Sequence, residues 1–243
     1  MRPVIYMLDT NILVNWFYSR TPDFEGSPLT PWQRQYRSDI RDFCEQNEND
    51  IYIPDLVWCE FLSVILHKEM ELCADLDGFN QWFRDREIII QQLELAIDGN
   101  PRLHRFLWAG TMSPYVDAEV LVRDPELIDD NLYQWLQNQF QKRKLPTRKP
   151  PKLLDGMDAV IMIYLNELAI QHPDQQVVLY SADLPLCRIT SRIRKLYKSW
   201  FAQNIASVFP LYSKTRCRYC GREHSNAILR QYGVLCHNHP LRF

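Results

Sequence analysis

The stretch Val4-Ile-Tyr-Met-Leu-Asp9-Thr-Asn-Ile-Leu-Val-Asn-Trp16 decides how this chain is read. Val4 to Leu8 is an apolar run of strand-favouring residues that stops at Asp9, and Ile12, Leu13 and Trp16 then recur at helical spacing. Thr10 and Asn11 can cap the turn between the two. The pattern predicts a buried strand, a carboxylate at its carboxyl end, and a helix. In open α/β sheets that edge is where ligands and chemistry sit. Asp is also a favoured helix N-cap, so the weight of Asp9 depends on whether other carboxylates converge with it.

The same pattern returns near the other end. Val177 to Tyr180 reads as a short buried strand running into Ser181-Ala182-Asp183 and a new helix. Between the two, Asp50 to Pro54 reads as a strand stopped by proline, and Asp55 opens a helix. Its apolar stripe is Leu56, Cys59, Leu62, Ile65 and Leu66, and Glu60 sits within it. Leu153 to Leu168 reads as a further helix. Asp155 and Asp158 lie three apart on one face near its start, where the helix dipole also favours negative charge. Ile205 to Phe209 is the last expected strand. Thr21 to Pro31 is a loop by composition, and Gln33 to Glu48 a surface helix with Ile40, Phe43 and Cys44 on one side. Residues 75 to 145 read as helical, with breaks at Pro101 and Pro114 and acids on a solvated face.

At 243 residues the chain can hold one sizeable α/β core and an appendage. Hydrophobic content of 46% excludes a disordered polyelectrolyte. With 7 glycines and no GxGxxG or GxxxxGK[ST], no phosphate-cradling glycine loop is expected. The odd count of 7 cysteines, scattered outside the last thirty residues, fits no disulfide framework and points to a reducing compartment. The sequence carries no signal-peptide pattern and no apolar run of about 20 residues. A cytoplasmic protein without a membrane partner is expected.

Converging carboxylates repel one another unless a cation holds them. Mg²⁺ or Mn²⁺ takes oxygen ligands, keeps waters and leaves room for a substrate phosphate. Such a site can activate water and stabilise both the attacking and the leaving oxygen of a phosphodiester. The motifs L-D-T-N-I-L around Asp9, W-C-E-F-L around Glu60, D-A-V-I-M-I-Y-L from Asp158 and L-Y-S-A-D around Asp183 together resemble the PIN domain family of metal-dependent nucleases. The resemblance covers the first ~210 residues, its motifs individually short but jointly in order. It implies a three-layer α/β/α fold with a central parallel sheet. It makes Asp9, Glu60, Asp158 and Asp183 the catalytic, metal-binding acids. Thr10, Asn11 and Ser181 become supporting or substrate-contacting groups, and Asp155 an additional acid. The long interval from Glu60 to Asp158 departs from compact toxin-type members and implies a helical insertion at about residues 75–150. Ser181-Ala182 replaces the Thr-x-Asp pattern of many relatives while keeping a hydroxyl.

The tail carries a second metal signature. Cys217-Arg-Tyr-Cys220-Gly221 is followed by Cys236-His237-Asn238-His239, and Cys217, Cys220, Cys236 and His239 match a tetrahedral structural Zn²⁺ site. His237 is an alternative fourth ligand and His224 a weaker one. The few apolar residues of the tail cannot hold it together without a metal. The organisation expected is a PIN-like nuclease domain over residues 1–212 and a zinc-binding module over 213–243.

Charge is distributed unevenly around a net value of −2. Lys142 to Lys152 is a basic, proline-broken segment. From Leu184 to Arg222 no acid occurs, while Arg188, Arg192, Arg194, Lys195, Lys198, Arg216 and Arg218 accumulate among Tyr197, Trp200, Tyr212 and Tyr219. Trp200 reads as a core residue, the rest as a nucleic-acid-binding face suited to unpaired RNA. PIN domains followed by zinc ribbons occur among RNA-processing nucleases, which this combination resembles. The expected function is a divalent-metal-dependent endoribonuclease. The rivals are an RNA-binding or assembly protein, a toxin-like protein held by an inhibitory protein partner, and a DNA-directed nuclease of the same fold.

Overall fold

Strand β1 (Val4–Leu8) is hydrogen-bonded on both flanks and forms the middle of the sheet. The computed structural model describes residues 3–20, 31–110, 114–124, 130, 133, 134, 137 and 156–208. Its other strands are β2 (Ile51–Pro54), β3 (Leu103–Phe106), β4 (Gln176–Tyr180) and β5 (Ile205–Val208). All five run parallel in the order β3-β2-β1-β4-β5. The helices are α1 (Thr10–Arg20), α2 (Pro31–Gln46), α3 (Asp55–Glu71), α4 (Leu76–Asp98), α5 (Pro114–Arg123), α6 (Gly156–Gln171) and α7 (Leu184–Leu196).

The chain thus builds outward from β1 to β3, returns, and builds the other way through β4 to β5. The reversal lies between β1 and β4, and this topological switch point is where open α/β sheets place their ligand crevice. Register fixes what meets there. Leu8 pairs with Tyr180, and the Asp9 amide donates to the Tyr180 carbonyl at 3.1 Å. The next residues along, Asp9 and Ser181, therefore stand side by side just beyond the sheet.

Every residue of β4 is buried, and β1 buries Ile5, Met7 and Leu8. Burial on both faces is the condition under which parallel sheets form, because their crossover helices cover them. Right-handed crossovers place α1 to α4 over one face and α5 to α7 over the other. Packing of α1 on α2 and α3, and of α5 on α6, agrees with that division. The result is an α/β protein compatible with a three-layer arrangement.

Asn204 joins two of the layers. Its side-chain nitrogen lies within 2.8–3.1 Å of the carbonyls of Ala169, His172 and Gln175, the chain end of α6 and the turn after it. Its own carbonyl accepts from the Gln176 side chain at 2.6 Å and the Val177 amide at 2.8 Å. Its two side-chain hydrogens are shared among three carbonyls, of which that of His172 also accepts the Gln175 amide at 3.1 Å, so the side chain ties the end of α6 to the residue before β5.

Two local expectations differ from what is observed. Residues 75–145 contain β3, an edge strand, in addition to helix. L-H-R-F is short, with His104 half-buried and Arg105 exposed, so it lacks a strand's apolar pattern and depends on pairing with β2. In α3 the buried stripe is Val57, Trp58, Phe61 and Ile65, while Cys59 is exposed and Leu56 and Leu62 are only half-buried. Apolar residues surround the first turns of this helix, and packing against α1, with Phe61 set edge-on to Phe17 at 6.0 Å, selects among the stripes.

Candidate functional site

Asp9 is held from three directions. Its Oδ1 accepts the Thr10 amide at 2.7 Å, and its Oδ2 accepts both the Ser181 hydroxyl and the Asn11 side-chain amide at 2.5 Å. A carboxylate offers about four lone-pair positions, so about one remains, on Oδ1. Its backbone carbonyl meanwhile opens α1 by accepting from Ile12 and Leu13. The side chain is 5% exposed. Burial pushes its carboxyl up, the Ser181 and Thr10 hydrogen bonds pull it back, and the charges of Asp183 and Glu60 raise it again, to about 6.

The other groups are tied to it through short links. Thr10 donates its hydroxyl to Glu60 Oε2 at 2.5 Å, joining the first turn of α1 to α3. Asn11 turns its oxygen to the Ala182 amide at 2.8 Å, so it bridges the turn after β1 and the turn after β4. Ser181 accepts the Asp183 amide at 2.9 Å. Asp183 caps α7, its Oδ1 accepting the Leu186 amide at 3.0 Å, so the structural reading of that residue holds alongside any functional one. Asp158 lies buried in the first turn of α6.

These residues enclose one cavity of about 370 Å³, lined by Asp9, Glu60, Asp158 and Asp183 together with Thr10 and Asn11. Val64, Met157 and Ile161 supply apolar wall. The starts of α1 and α7 follow directly from strand ends at this edge, and Asp158 marks the start of α6 there. Their partial positive charges lower the cost of gathering acids. Four carboxylates, with no thiolate or imidazole among the lining residues, match the oxygen-ligand preference of Mg²⁺ or Mn²⁺. The set is open: among the described residues no three His, Cys, Asp or Glu side chains stand close enough to share one ion.

The cations expected to hold a strand are placed differently from one another. Arg188 is buried at 4% exposure, and Arg194 donates to the Ile205 carbonyl at 2.9 Å. Arg192 is half-buried, whereas Lys195 and Lys198 are exposed. Helix α7 begins at the cavity and runs away from it, so Lys195 lies about 16 Å along the axis from Leu184, toward the opposite edge of the sheet. Trp200, expected in the core, is 39% exposed, and its neighbour Phe201 is the buried ring. Asp155, Arg216, Arg218 and the Zn²⁺ set Cys217, Cys220, Cys236 and His239 lie outside the described residues, as do Lys142 to Lys152. Among the described residues Cys44, Cys59, Cys73 and Cys187 are free thiols. No described helix is long and apolar enough to cross a membrane.

Asn15 is a site residue that the sequence reading passed over. It lines the cavity and donates to the Asn11 carbonyl at 2.6 Å. Its spacing of four from Asn11 was the available signal. No protein-family model matches the chain, and no curated protein matches it.

Proposed function

We propose that this protein is a metal-dependent nuclease of the PIN type that hydrolyses RNA phosphodiesters. The observation carrying the proposal is that Asp9, Glu60, Asp158 and Asp183, from two strand ends and two helices spread over 175 positions, line one cavity at the switch point of a parallel sheet. Capping accounts for Asp183 singly, but it does not account for four acids lining one cavity, where their mutual repulsion is a cost that a bound cation offsets.

In this reading the four carboxylates would hold Mg²⁺ or Mn²⁺, each ion taking at most two of them and water for the rest. The ion supplies charge neutralisation at the phosphate and a more acidic water. Asp9 presents one oriented lone pair, because Ser181, Asn11 and the Thr10 amide occupy the others. Thr10 fixes the Glu60 carboxylate toward the same space. A water oxygen attacks phosphorus, the bond from phosphorus to the 3′-oxygen breaks, and that oxygen takes up a proton, leaving 5′-phosphate and 3′-hydroxyl ends. The C-terminal residues Cys217, Cys220, Cys236 and His239 hold a structural Zn²⁺, and the basic tail with Arg216 and Arg218 binds the strand.

The test is cleavage of labelled single-stranded RNA, structured RNA and DNA with Mn²⁺, the wild type run beside Asp9→Asn and Asp183→Asn. Cleavage of RNA by the wild type alone, abolished by EDTA, supports the proposal. Cleavage of DNA in preference to RNA moves the substrate assignment. No cleavage by folded, zinc-loaded protein overturns the enzyme reading in favour of an RNA-binding or partner-inhibited protein.

A further inference from the structure

The far end of α7 carries a surface that the cavity does not use. The Trp200 amide donates to the Tyr197 carbonyl at 3.2 Å, closing a tight turn with Lys198 at its corner. The Trp200 carbonyl accepts from Asn166 at 3.4 Å, and the indole is packed on one side by Tyr197, with ring centroids 5.2 Å apart, and by Phe201 at 5.5 Å. The indole is therefore held in place while 39% of the residue stays in solvent. A singly exposed apolar side chain is ordinary; what distinguishes Trp200 is an indole ordered by two neighbouring rings in the same turn as Lys198 and following the helix end that carries Lys195. Lys195 and Lys198 are exposed, and neither is engaged in an ion pair among the described residues. The dipole of α7 accounts for cations in its last turn, Arg194 and Lys195. It accounts neither for Lys198, which lies beyond the helix, nor for the indole.

A polyanion with exposed planar rings is the partner that matches both features. Aromatic platforms stack unpaired bases, and lysines neutralise phosphates. Along the sequence no acid occurs from Leu184 to Arg222, and in the fold the carboxylate of Asp124 at this surface is engaged by the Tyr197 hydroxyl. We propose that Trp200, Lys195 and Lys198 form an accessory site for single-stranded RNA, about 16 Å or more from the carboxylate cavity, that engages the strand at a distance from the position of cleavage. The inference builds on the nuclease reading but concerns binding alone. A strand held at both places must reach from one edge of the sheet to the other, so the site selects for length and for unpaired bases.

The experiment uses the full-length Asp9→Asn protein, which binds without cutting, and measures anisotropy of a labelled 20-nucleotide single-stranded RNA and of a 20-base-pair RNA duplex, without divalent ions. Trp200→Ala should weaken the single strand at least about fivefold and leave the duplex unchanged, and Trp200→Phe should restore most of the loss. Lys195→Gln/Lys198→Gln should lower the slope of log K against log[salt] for the single strand by about 1.4, two phosphates at about 0.7 each. A merely structural role for these side chains would not move that slope. Unchanged affinity and slope in all variants overturns the site. So does an equal loss on duplex and single strand in Trp200→Ala, which would report fold damage. Because cleavage is not read, failure of the nuclease proposal shows only in the cleavage assay, and failure of the accessory site only here.

Discussion

Ser181 donates its hydroxyl to Asp9 Oδ2 at 2.5 Å across the register that pairs Leu8 with Tyr180. The bond joins residues 172 positions apart, just past the ends of β4 and β1, and opposes the rise that burial imposes on the Asp9 carboxyl. Removing it by Ser181→Ala takes away one of the two hydrogen bonds that lower the Asp9 pKa and strands the Asp183 amide. The variant should lose about 1–2 kcal/mol of stability near pH 7. Its Asp9 should titrate above its wild-type value of about 6, readable by NMR of a carboxylate-labelled sample.

Asp9 makes stability depend on pH in a defined direction. Its folded pKa of about 6 exceeds the ordinary 3.8, so the folded state binds the extra proton between those values. The contribution is fully favourable below about pH 4 and is lost as pH rises through about 6, leaving a buried charge. Asp9→Asn cannot titrate. The melting temperature of Asp9→Asn minus that of the wild type, without divalent ions, should therefore grow between pH 4 and 7. The gap corresponds to at most about 3 kcal/mol, reduced because the new amide opposes the Asn11 amide. A gap constant with pH would show that Asp9 is not so perturbed.

Thr10 places Glu60 through a single hydroxyl. Thr10→Val preserves shape and keeps the backbone amide on Asp9 but frees Glu60 Oε2. Supports of this kind are worth 10- to 100-fold in metal affinity. Mn²⁺ binding followed by electron paramagnetic resonance should weaken about tenfold, with the melting temperature in EDTA nearly unchanged. Equal Mn²⁺ affinity in the two proteins would remove Glu60 from the proposed ligand set.

Asn204 is the corresponding point for the fold. Asn204→Ala leaves the carbonyls of Ala169, His172 and Gln175 without their side-chain partner at an interior position. The expected cost is about 2–3 kcal/mol in urea unfolding. Asn204→Asp, equal in size but without the donor, should fare no better. A loss below about 0.5 kcal/mol would show that water replaces the side chain.

The strands ending at Asp9 and Ser181 were legible from sequence because their cores are apolar and their ends abrupt. The helix stripes were partly legible, failing in α3 where apolar residues occupy several faces at once. Strand β3 was not legible, since an edge strand with His104 and Arg105 owes its conformation to the neighbour it pairs with. Trp200 was misread for a related reason: aromatic character says that a side chain can be buried, while the position of the turn after α7 decides that Phe201 is buried and Trp200 is not.

What the sequence determined by itself is local: the apolar runs, the capping residues, the identity of the four acids and the spacing of the tail cysteines. Each depends on neighbours a few positions away, and the chemistry of each side chain is intrinsic. Only the tertiary structure decided that β1 and β4 lie adjacent, that their ends and two helices share one cavity, and that Lys195 and Trp200 stand at the opposite edge. Convergence is a property of strand order and register. Hydrogen bonds between segments more than 170 residues apart select it, and no window along the chain contains it.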